Sequence, residues 1–223
     1  MKSSAIHDAH RRILIVDDHP LVRHGFRELL EREPNVEVCG EAETVQEALR
    51  LASVHEPDLV IADISLKEGN GIDLVKRLKA LHPTVRVLVA SMHDEALYAE
   101  RVLRAGAMGY VCKHQAVEKI LDSVRVVLEG GVYLSPEMTA RLLKSHPLRA
   151  ACEGRGSIAQ LTDRELEVFD AIGRGRSTRV IAEELKLSAK TIETHRENIK
   201  RKLSLNNATE LIQRACEWAL GES

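Results

Sequence analysis

The chain has 223 residues, of which 44% are hydrophobic and 30% charged, and its formal net charge is −2. This composition is typical of a globular protein with room for two domains, and it excludes an overall basic field, so any DNA contact needs a local patch. No run in the sequence approaches the roughly 18 apolar residues that a membrane span needs, and no cysteine pair has metal-binding spacing. We therefore expect a cytoplasmic protein. Residues 1–11 lack the apolar stretch of a signal peptide and are predicted to be a disordered tail.

Short apolar runs alternate with amphipathic stretches over residues 12–130. The predicted strands are residues 13–16, 36–39, 59–62, 85–90 and 110–112. The predicted helices are residues 20–32, 45–54, 72–81, 94–105 and 116–128. Five repeats of a strand followed by a helix predict an α/β domain with a doubly wound five-stranded parallel sheet. In such a sheet, ligand chemistry lies at the carboxyl ends of the strands.

The pattern changes after the fifth helix. Residues 131–157 contain several prolines and glycines without a sustained strand, and we predict an interdomain linker with a short helix over 136–144. Residues 158–223 are helical throughout, and Ser177 and Ser188 are placed to cap successive helices. Two short helices around a tight turn predict a helix-turn-helix within a smaller, all-α four-helix domain.

Five polar residues fall at the carboxyl ends of the predicted strands. Asp17 and Asp18 end the first strand and Asp63 the third, and these strands are commonly neighbours. Taken singly, each is as well explained as a cap, a turn or a solvated charge, so the inference depends on their joint placement. Three close carboxylates repel one another unless a cation shares them, and oxygen ligands suit Mg²⁺. Ser91 and Lys113 end the fourth and fifth strands and can stabilise a phosphoryl group on Asp63.

These residues resemble the receiver domain of two-component response regulators over about residues 12–130. The residues that carry the resemblance are Asp17, Asp18, Asp63, Ser91 and the segment 109–113. The resemblance implies that Asp63 takes a phosphoryl group from a sensor histidine kinase. It also implies that the acidic pair, Asp63 and the backbone carbonyl of Ser65 hold Mg²⁺.

The resemblance extends to the conformational switch. It implies that Ser91 and Tyr110 move together on phosphorylation, while Lys113 contacts the phosphoryl group. The loop after Asp63 departs from the family pattern, because the family often has proline at the position of Lys67.

The second predicted domain resembles the LuxR-type helix-turn-helix over about residues 158–221. The segments that carry this resemblance are residues 161–168, 188–195 and 199–203. Together the two domains resemble the NarL/FixJ subfamily of response regulators. The residues predicted to bind DNA are Lys190, Thr191, Glu193, Thr194, His195, Arg196, Glu197, Lys200 and Lys202.

Three side chains of this domain have two interpretations each. Glu193 can accept a hydrogen bond from a cytosine amino group, or it can pair with Lys190 or Arg196 on its own helix. His195 can contact a phosphate or pack within the domain. Trp218 fits the core better than a dimer interface, although the family often dimerises on DNA through its last helix.

The leading hypothesis is a phosphorylation switch that controls homodimerisation and sequence-specific binding to promoter DNA. Two other functions compete with it. One is a constitutive DNA-binding protein whose receiver is a dimerisation scaffold, and the other is a small-molecule enzyme on a flavodoxin-like fold. We expect no enzymatic activity beyond Mg²⁺-dependent phosphorylation and slow autodephosphorylation at Asp63, because the sequence has no second catalytic base or cofactor motif.

Overall fold

The computed structural model describes residues 10–66, 68–115, 117–145 and 157–219. Most of the predicted tail, Lys67 and residues 146–156 of the predicted linker lie outside the described residues. The chain divides into two compact units, with the boundary between Lys144 and Ser145. The first unit therefore extends past residue 130 and includes the early part of the predicted linker. Within the described residues, every helix is too short or too polar to cross a membrane.

The first unit is built on a five-stranded parallel sheet, which confirms the predicted fold. Its strands are β1 (Arg11–Val16), β2 (Val36–Ala42), β3 (Leu59–Ala62), β4 (Arg86–Ser91) and β5 (Gly109–Cys112). Their order across the sheet is β2-β1-β3-β4-β5. The three central strands are almost entirely buried because helices cover both faces, which explains their continuous apolar runs.

The described residues of the first unit form six helices. They are α1 (Pro20–Leu30), α2 (Val45–His55), α3 (Gly71–Leu81), α4 (Glu95–Ala105), α5 (Val117–Leu128) and α6 (Pro136–Ser145). Thr44, Asn70 and Asp94 cap α2, α3 and α4 by accepting hydrogen bonds from backbone N–H groups. Helix α4 ends at Gly106, which takes the left-handed conformation that favours glycine.

The residues between α5 and α6 form part of the first unit. Tyr133 makes an isolated parallel bridge with Gly109 of β5, its carbonyl accepting from the Tyr110 N–H at 3.0 Å. The Ser135 N–H donates to a carboxylate oxygen of Glu95 at 2.8 Å, which ties the start of α6 to α4. Met138 of α6 is buried. This stretch is too short for a periodic apolar pattern, so the sequence predicted no pairing here.

In the part of the second unit that the structure describes there are four α-helices, which confirms the predicted all-α domain. After a 3-10 turn (Ile158–Gln160) come α7 (Asp163–Gly173), α8 (Thr178–Glu184), α9 (Ala189–Leu203) and α10 (Ala208–Ala219). Ser177 caps α8 and Ser188 caps α9, as predicted. Helices α7 and α10 pack closely at Gly173, where an added Cβ would lie 2.4 Å from the Ala215 carbonyl oxygen.

Candidate functional site

An acid pocket lies at the carboxyl end of the sheet. Val16 of β1 is in register with Ala62 of β3, so the next residues, Asp17 and Asp63, reach the same edge. Both carboxylates are almost fully buried, with 2% and 4% of their surface exposed. The Lys113 ammonium lies 2.5 Å from Asp17 Oδ2 and 2.8 Å from Asp63 Oδ2. The structure thus joins the ends of β1, β3 and β5 in one ionic cluster.

Asp18 is the outer carboxylate of the pocket, with 18% of its side chain exposed. The ligand atoms of Asp17, Asp18, His19 and Asp63 lie within 4.8 Å of one another. His19 Nδ1 is 2.7 Å from Asp18 Oδ1 and 3.3 Å from Asp17 Oδ1. Sequence reasoning missed this imidazole, although its position directly after the acidic pair was a signal.

The donor set fits a hard divalent cation. Three carboxylates outnumber the single ammonium of Lys113 by two charges, which one Mg²⁺ would balance. Oxygen ligands at this density are those that Mg²⁺ prefers, with water completing its coordination. Burial raises the pKa of Asp63, the Lys113 ammonium opposes that rise, and the Asp17 carboxylate adds to it. A cation in the pocket would therefore help to keep Asp63 ionised.

The loop after Asp63 requires a glycine at the start of α3. The Gly71 N–H donates to the Ile64 carbonyl at 2.7 Å, and Ser65 bridges Asn70. A Cβ on Gly71 would lie 2.0 Å from the Asp63 carbonyl oxygen. This close approach folds the loop back on itself and holds Ser65 beside the acid pocket.

Ser91 and Tyr110 lie behind the pocket, and both are completely buried. Ser91 ends β4, and a hydrogen bond from it opposes the rise in the pKa of Asp63. The Tyr110 hydroxyl donates to the His93 carbonyl at 2.7 Å. Burial raises the pKa of Tyr110 well above its ordinary value, so this hydroxyl stays protonated and remains a donor.

His93 links the two loops beside the pocket. Its Nε2 lies 2.9 Å from Ser65 Oγ, and its ring centroid lies 4.8 Å from that of Tyr98 on α4. The same residue therefore touches the loop after β3 through its ring and Tyr110 through its carbonyl. Sequence reasoning missed His93, because a histidine two residues after Ser91 carries no pattern of its own.

Helix α9 carries the predicted DNA-binding residues. Lys190, Glu193, Thr194 and Glu197 are exposed, whereas Ile192 and Ile199 face the core. Glu193 accepts from the Thr178 hydroxyl at 2.9 Å and lies 3.6 Å from the Arg196 guanidinium. Glu193 thus pairs within the domain in this structure, and its contact with a base stays a prediction.

Two further basic residues of α9 also have protein partners. Lys200 pairs with Glu197 at 2.8 Å, and Lys202 pairs with the buried Glu165 of α7 at 2.5 Å. His195 is half-buried, and burial followed by the charge of Arg164 lowers its pKa. These effects disfavour the charged form of the imidazole, which would attract a phosphate most strongly.

Trp218 lies against the core of the second unit. Its ring centroid is 5.2 Å from that of the fully buried Phe169, although Trp218 itself is only partly buried. One face of the indole thus contributes to the packing of α10 on α7.

Comparison with known proteins agrees with both units. Residues 13–125 match the response regulator receiver domain, and residues 159–215 match the bacterial regulatory proteins of the luxR family. The transcriptional regulatory protein DegU of Brevibacillus brevis is 34% identical over 214 residues, covering 90% of this chain and 91% of DegU. The oxygen regulatory protein NreC of Staphylococcus carnosus is 33% identical over 213 residues, covering 94% and 98%.

A solved structure shows the same architecture. RcsB from Salmonella enterica serovar Typhimurium, bound to promoter rprA with the phosphomimetic BeF3−, superposes with a TM-score of 0.62. It is 27% identical and covers 93% of this chain and 98% of its own. A doubly wound domain with an acid pocket, followed by a helix-turn-helix domain, defines a two-domain regulator of transcription. The chain belongs to the NarL/FixJ family of two-component response regulators.

Proposed function

We propose that Asp63 is the phosphoacceptor of this response regulator. The observation that carries the proposal is the Lys113 ammonium, which contacts both Asp17 and Asp63 at the carboxyl end of the sheet. An Asp63 oxygen would attack the phosphorus of a phosphohistidine on the sensor kinase. The P–N bond breaks, a P–O bond forms, and the histidine nitrogen leaves with the electron pair. Water later hydrolyses the acyl phosphate and restores the carboxylate.

Mg²⁺ would be held by Asp17, Asp18, Asp63 and the backbone carbonyl of Ser65. When bound, it would supply positive charge to the transferring phosphoryl group. Lys113 is placed to neutralise a second phosphoryl oxygen. The buried Ser91 hydroxyl would donate to a third, and Tyr110 would hold the neighbouring loop through the His93 carbonyl.

The assignment is tested by labelling the full chain with acetyl phosphate in the presence of Mg²⁺. Asp63→Asn should abolish the phosphorylated species seen by intact mass, because an amide oxygen is a poor nucleophile. Asp73→Asn is the matched control, because Asp73 is an exposed carboxylate on α3 outside the pocket. Full labelling of Asp63→Asn would contradict the proposal.

For the second unit, we propose that the exposed face of α9 enters the major groove of promoter DNA. Lys190, Thr191 and Thr194 lie near its amino end, where recognition helices reach base edges. Glu193, Arg196, Glu197 and Lys200 would flank them and adjust the local charge. His195 and Lys202 would act mainly by holding α9 on the domain, since both face α7.

The proposed output is a phosphorylation-dependent homodimer on promoter DNA in the cytoplasm. The RcsB structures support this reading, since one describes RcsB dimers bound to DNA. Footprinting with and without acetyl phosphate, together with oligomer size by light scattering, tests the switch. We expect protection of two half-sites and dimerisation to depend on the phosphodonor. DNA affinity that ignores both the donor and Mg²⁺ would instead support a constitutive binder with the receiver as a scaffold.

A further inference from the structure

A buried arginine on α1 contacts the backbone of the acid pocket. Arg23 is 8% exposed, and all three of its guanidinium nitrogens have partners. Nη1 donates to the Asp17 carbonyl oxygen at 2.7 Å, Nε to Glu41 at 3.2 Å and Nη2 to Glu43 at 2.8 Å. The two carboxylates hold the guanidinium in place, and its remaining nitrogen is directed at the main chain between Asp17 and Asp18.

That contact restrains a single peptide plane. A peptide unit is rigid and planar, so fixing the Asp17 carbonyl oxygen also fixes the direction of the bond leading to the Asp18 Cα. The preceding peptide unit is restrained as well, because the Asp17 N–H donates to the Ala42 carbonyl at 3.0 Å. Arg23 therefore sets where the Asp18 side chain leaves the main chain.

Asp18 has more need of such support than the other two carboxylates. Asp17 and Asp63 are buried and share the Lys113 ammonium, whereas Asp18 is the most exposed of the three. Any conformational freedom that the main chain at Asp18 loses on metal binding weakens the affinity. Holding its main chain in advance removes part of that cost.

We propose that Arg23 is a positioning residue for the divalent-cation site, acting on Asp18 through the Asp17 carbonyl. The inference rests on the proposed metal site at Asp17, Asp18 and Asp63. Arg23 touches neither the cation nor the phosphoryl group in this scheme. Its effect reaches the site through the backbone, as with the supporting groups that orient metal ligands in other proteins.

Calorimetric titration of the full chain with Mg²⁺ alone, without phosphodonor, tests this role. Arg23→Gln should weaken Mg²⁺ binding by about tenfold or more, the usual effect of losing a group that orients a ligand. The sign is decisive, because removing a positive charge near three carboxylates would by itself tighten binding of a cation. Weaker binding therefore reports lost positioning rather than changed charge.

Arg27→Gln is the matched control. Arg27 also lies on α1 and also pairs with Glu41, at 2.6 Å, but within the described residues its side chain donates to Glu41 and Glu31 and not to the pocket backbone. We expect its Mg²⁺ affinity to equal or slightly exceed that of the wild type. Acetyl phosphate labelling of Arg23→Gln should also recover at saturating Mg²⁺, because the nucleophile and Lys113 are unchanged.

Three outcomes separate the possibilities. If the wild type binds no Mg²⁺, the proposed metal site itself fails. If the wild type binds Mg²⁺ and folded Arg23→Gln binds it equally well, the role of Arg23 is wrong while the site stands. An equal loss in Arg27→Gln would also overturn the proposal, because the charge network rather than the carbonyl contact would then be responsible. Should Arg23→Gln fail to fold, Arg23→Lys takes its place under the same criteria, since an ammonium lacks the planar fork with which the guanidinium reaches the carbonyl and both carboxylates.

Discussion

Replacing Lys113 with methionine should destabilise the first unit in a strongly pH-dependent way. Methionine keeps much of the apolar stem, so the change removes chiefly the ammonium shared by Asp17 and Asp63. Breaking a buried ionic cluster by removing one partner typically costs about 3–5 kcal/mol. The two carboxylates would then face each other, buried, without a compensating charge.

Protonation of one carboxyl limits this cost. Burial already raises the pKa of Asp63 from its ordinary value of 3.8, and losing Lys113 raises it further. At about 1.4 kcal/mol per pH unit, protonating a group of ordinary pKa 3.8 costs about 4 kcal/mol at pH 7 and about 2 kcal/mol at pH 5. A carboxyl with a raised folded-state pKa contributes stability that is present below its unfolded pKa and lost as pH rises through the folded value. The variant should therefore lose about 4 kcal/mol at pH 7 and about half of that at pH 5.

Hydrogen exchange followed by mass spectrometry can measure the loss separately for each unit. Amides of β1 and β3 exchange through global opening of the first unit, so their protection reports its free energy of unfolding. Amides of α9 serve as an internal control and should not change. Saturating Mg²⁺ should restore part of the protection at pH 7 by replacing the missing positive charge. An equal loss at pH 5 and pH 7, or a loss in α9, would refute this reasoning.

Four further substitutions test other contacts. Tyr110→Phe should cost about 1 kcal/mol of first-unit stability, because the His93 carbonyl loses its donor. It should also reduce the gain in DNA affinity that the phosphodonor produces, measured by fluorescence anisotropy titration. An undiminished gain would contradict the role of the hydroxyl. Glu165→Gln should destabilise the second unit by about 1 kcal/mol at pH 7, since a neutral glutamine can still close the capping box but loses the ion pair with Lys202. Burial would raise the pKa of Glu165, but the hydrogen bonds with Lys202 and Thr162 outweigh it and lower the pKa. In chemical unfolding, the difference in stability between the wild type and Glu165→Gln should therefore fade as the pH falls below 4.5. A difference that stays constant would exclude the charge as its cause. Lys190→Ala should reduce the salt dependence of DNA binding by about one counterion, seen as a shallower slope of log affinity against log salt concentration. Lys202→Ala should leave that slope unchanged and should lower the stability of the second unit instead. Equal slopes for the two variants would argue against separate roles for the two lysines.

The sheet and the ends of its strands could be predicted because burial leaves a plain trace in the sequence. Strands covered on both faces need unbroken apolar runs, and the residue that follows each run must lie at the carboxyl edge. This reasoning alone brought Asp17, Asp63 and Lys113 together. It required no knowledge of side-chain conformation, because strand register fixes their main-chain positions.

Contacts that depend on side-chain direction could not be predicted in the same way. Arg23 and Arg27 are both arginines on α1, four residues apart, yet only the first reaches the Asp17 carbonyl within the described structure. Lys200 and Lys202 are equally basic in sequence, but they pair with different helices. Such differences arise from rotamers and from neighbours distant in the chain, which residue periodicity does not encode.

The short bridge at Tyr133 also has a consequence for association between molecules. A parallel sheet exposes a row of unpaired N–H and C=O groups along each outer strand, and such a row is a template for another strand. At β5 that row is partly occupied, because the Tyr110 N–H and the Met108 carbonyl are both bonded to Tyr133. The opposite margin, β2, carries the exposed Glu37, whose charge would repel an identical strand. Growth of the sheet from one copy into the next is therefore discouraged at both ends, and self-association is directed toward helical surfaces.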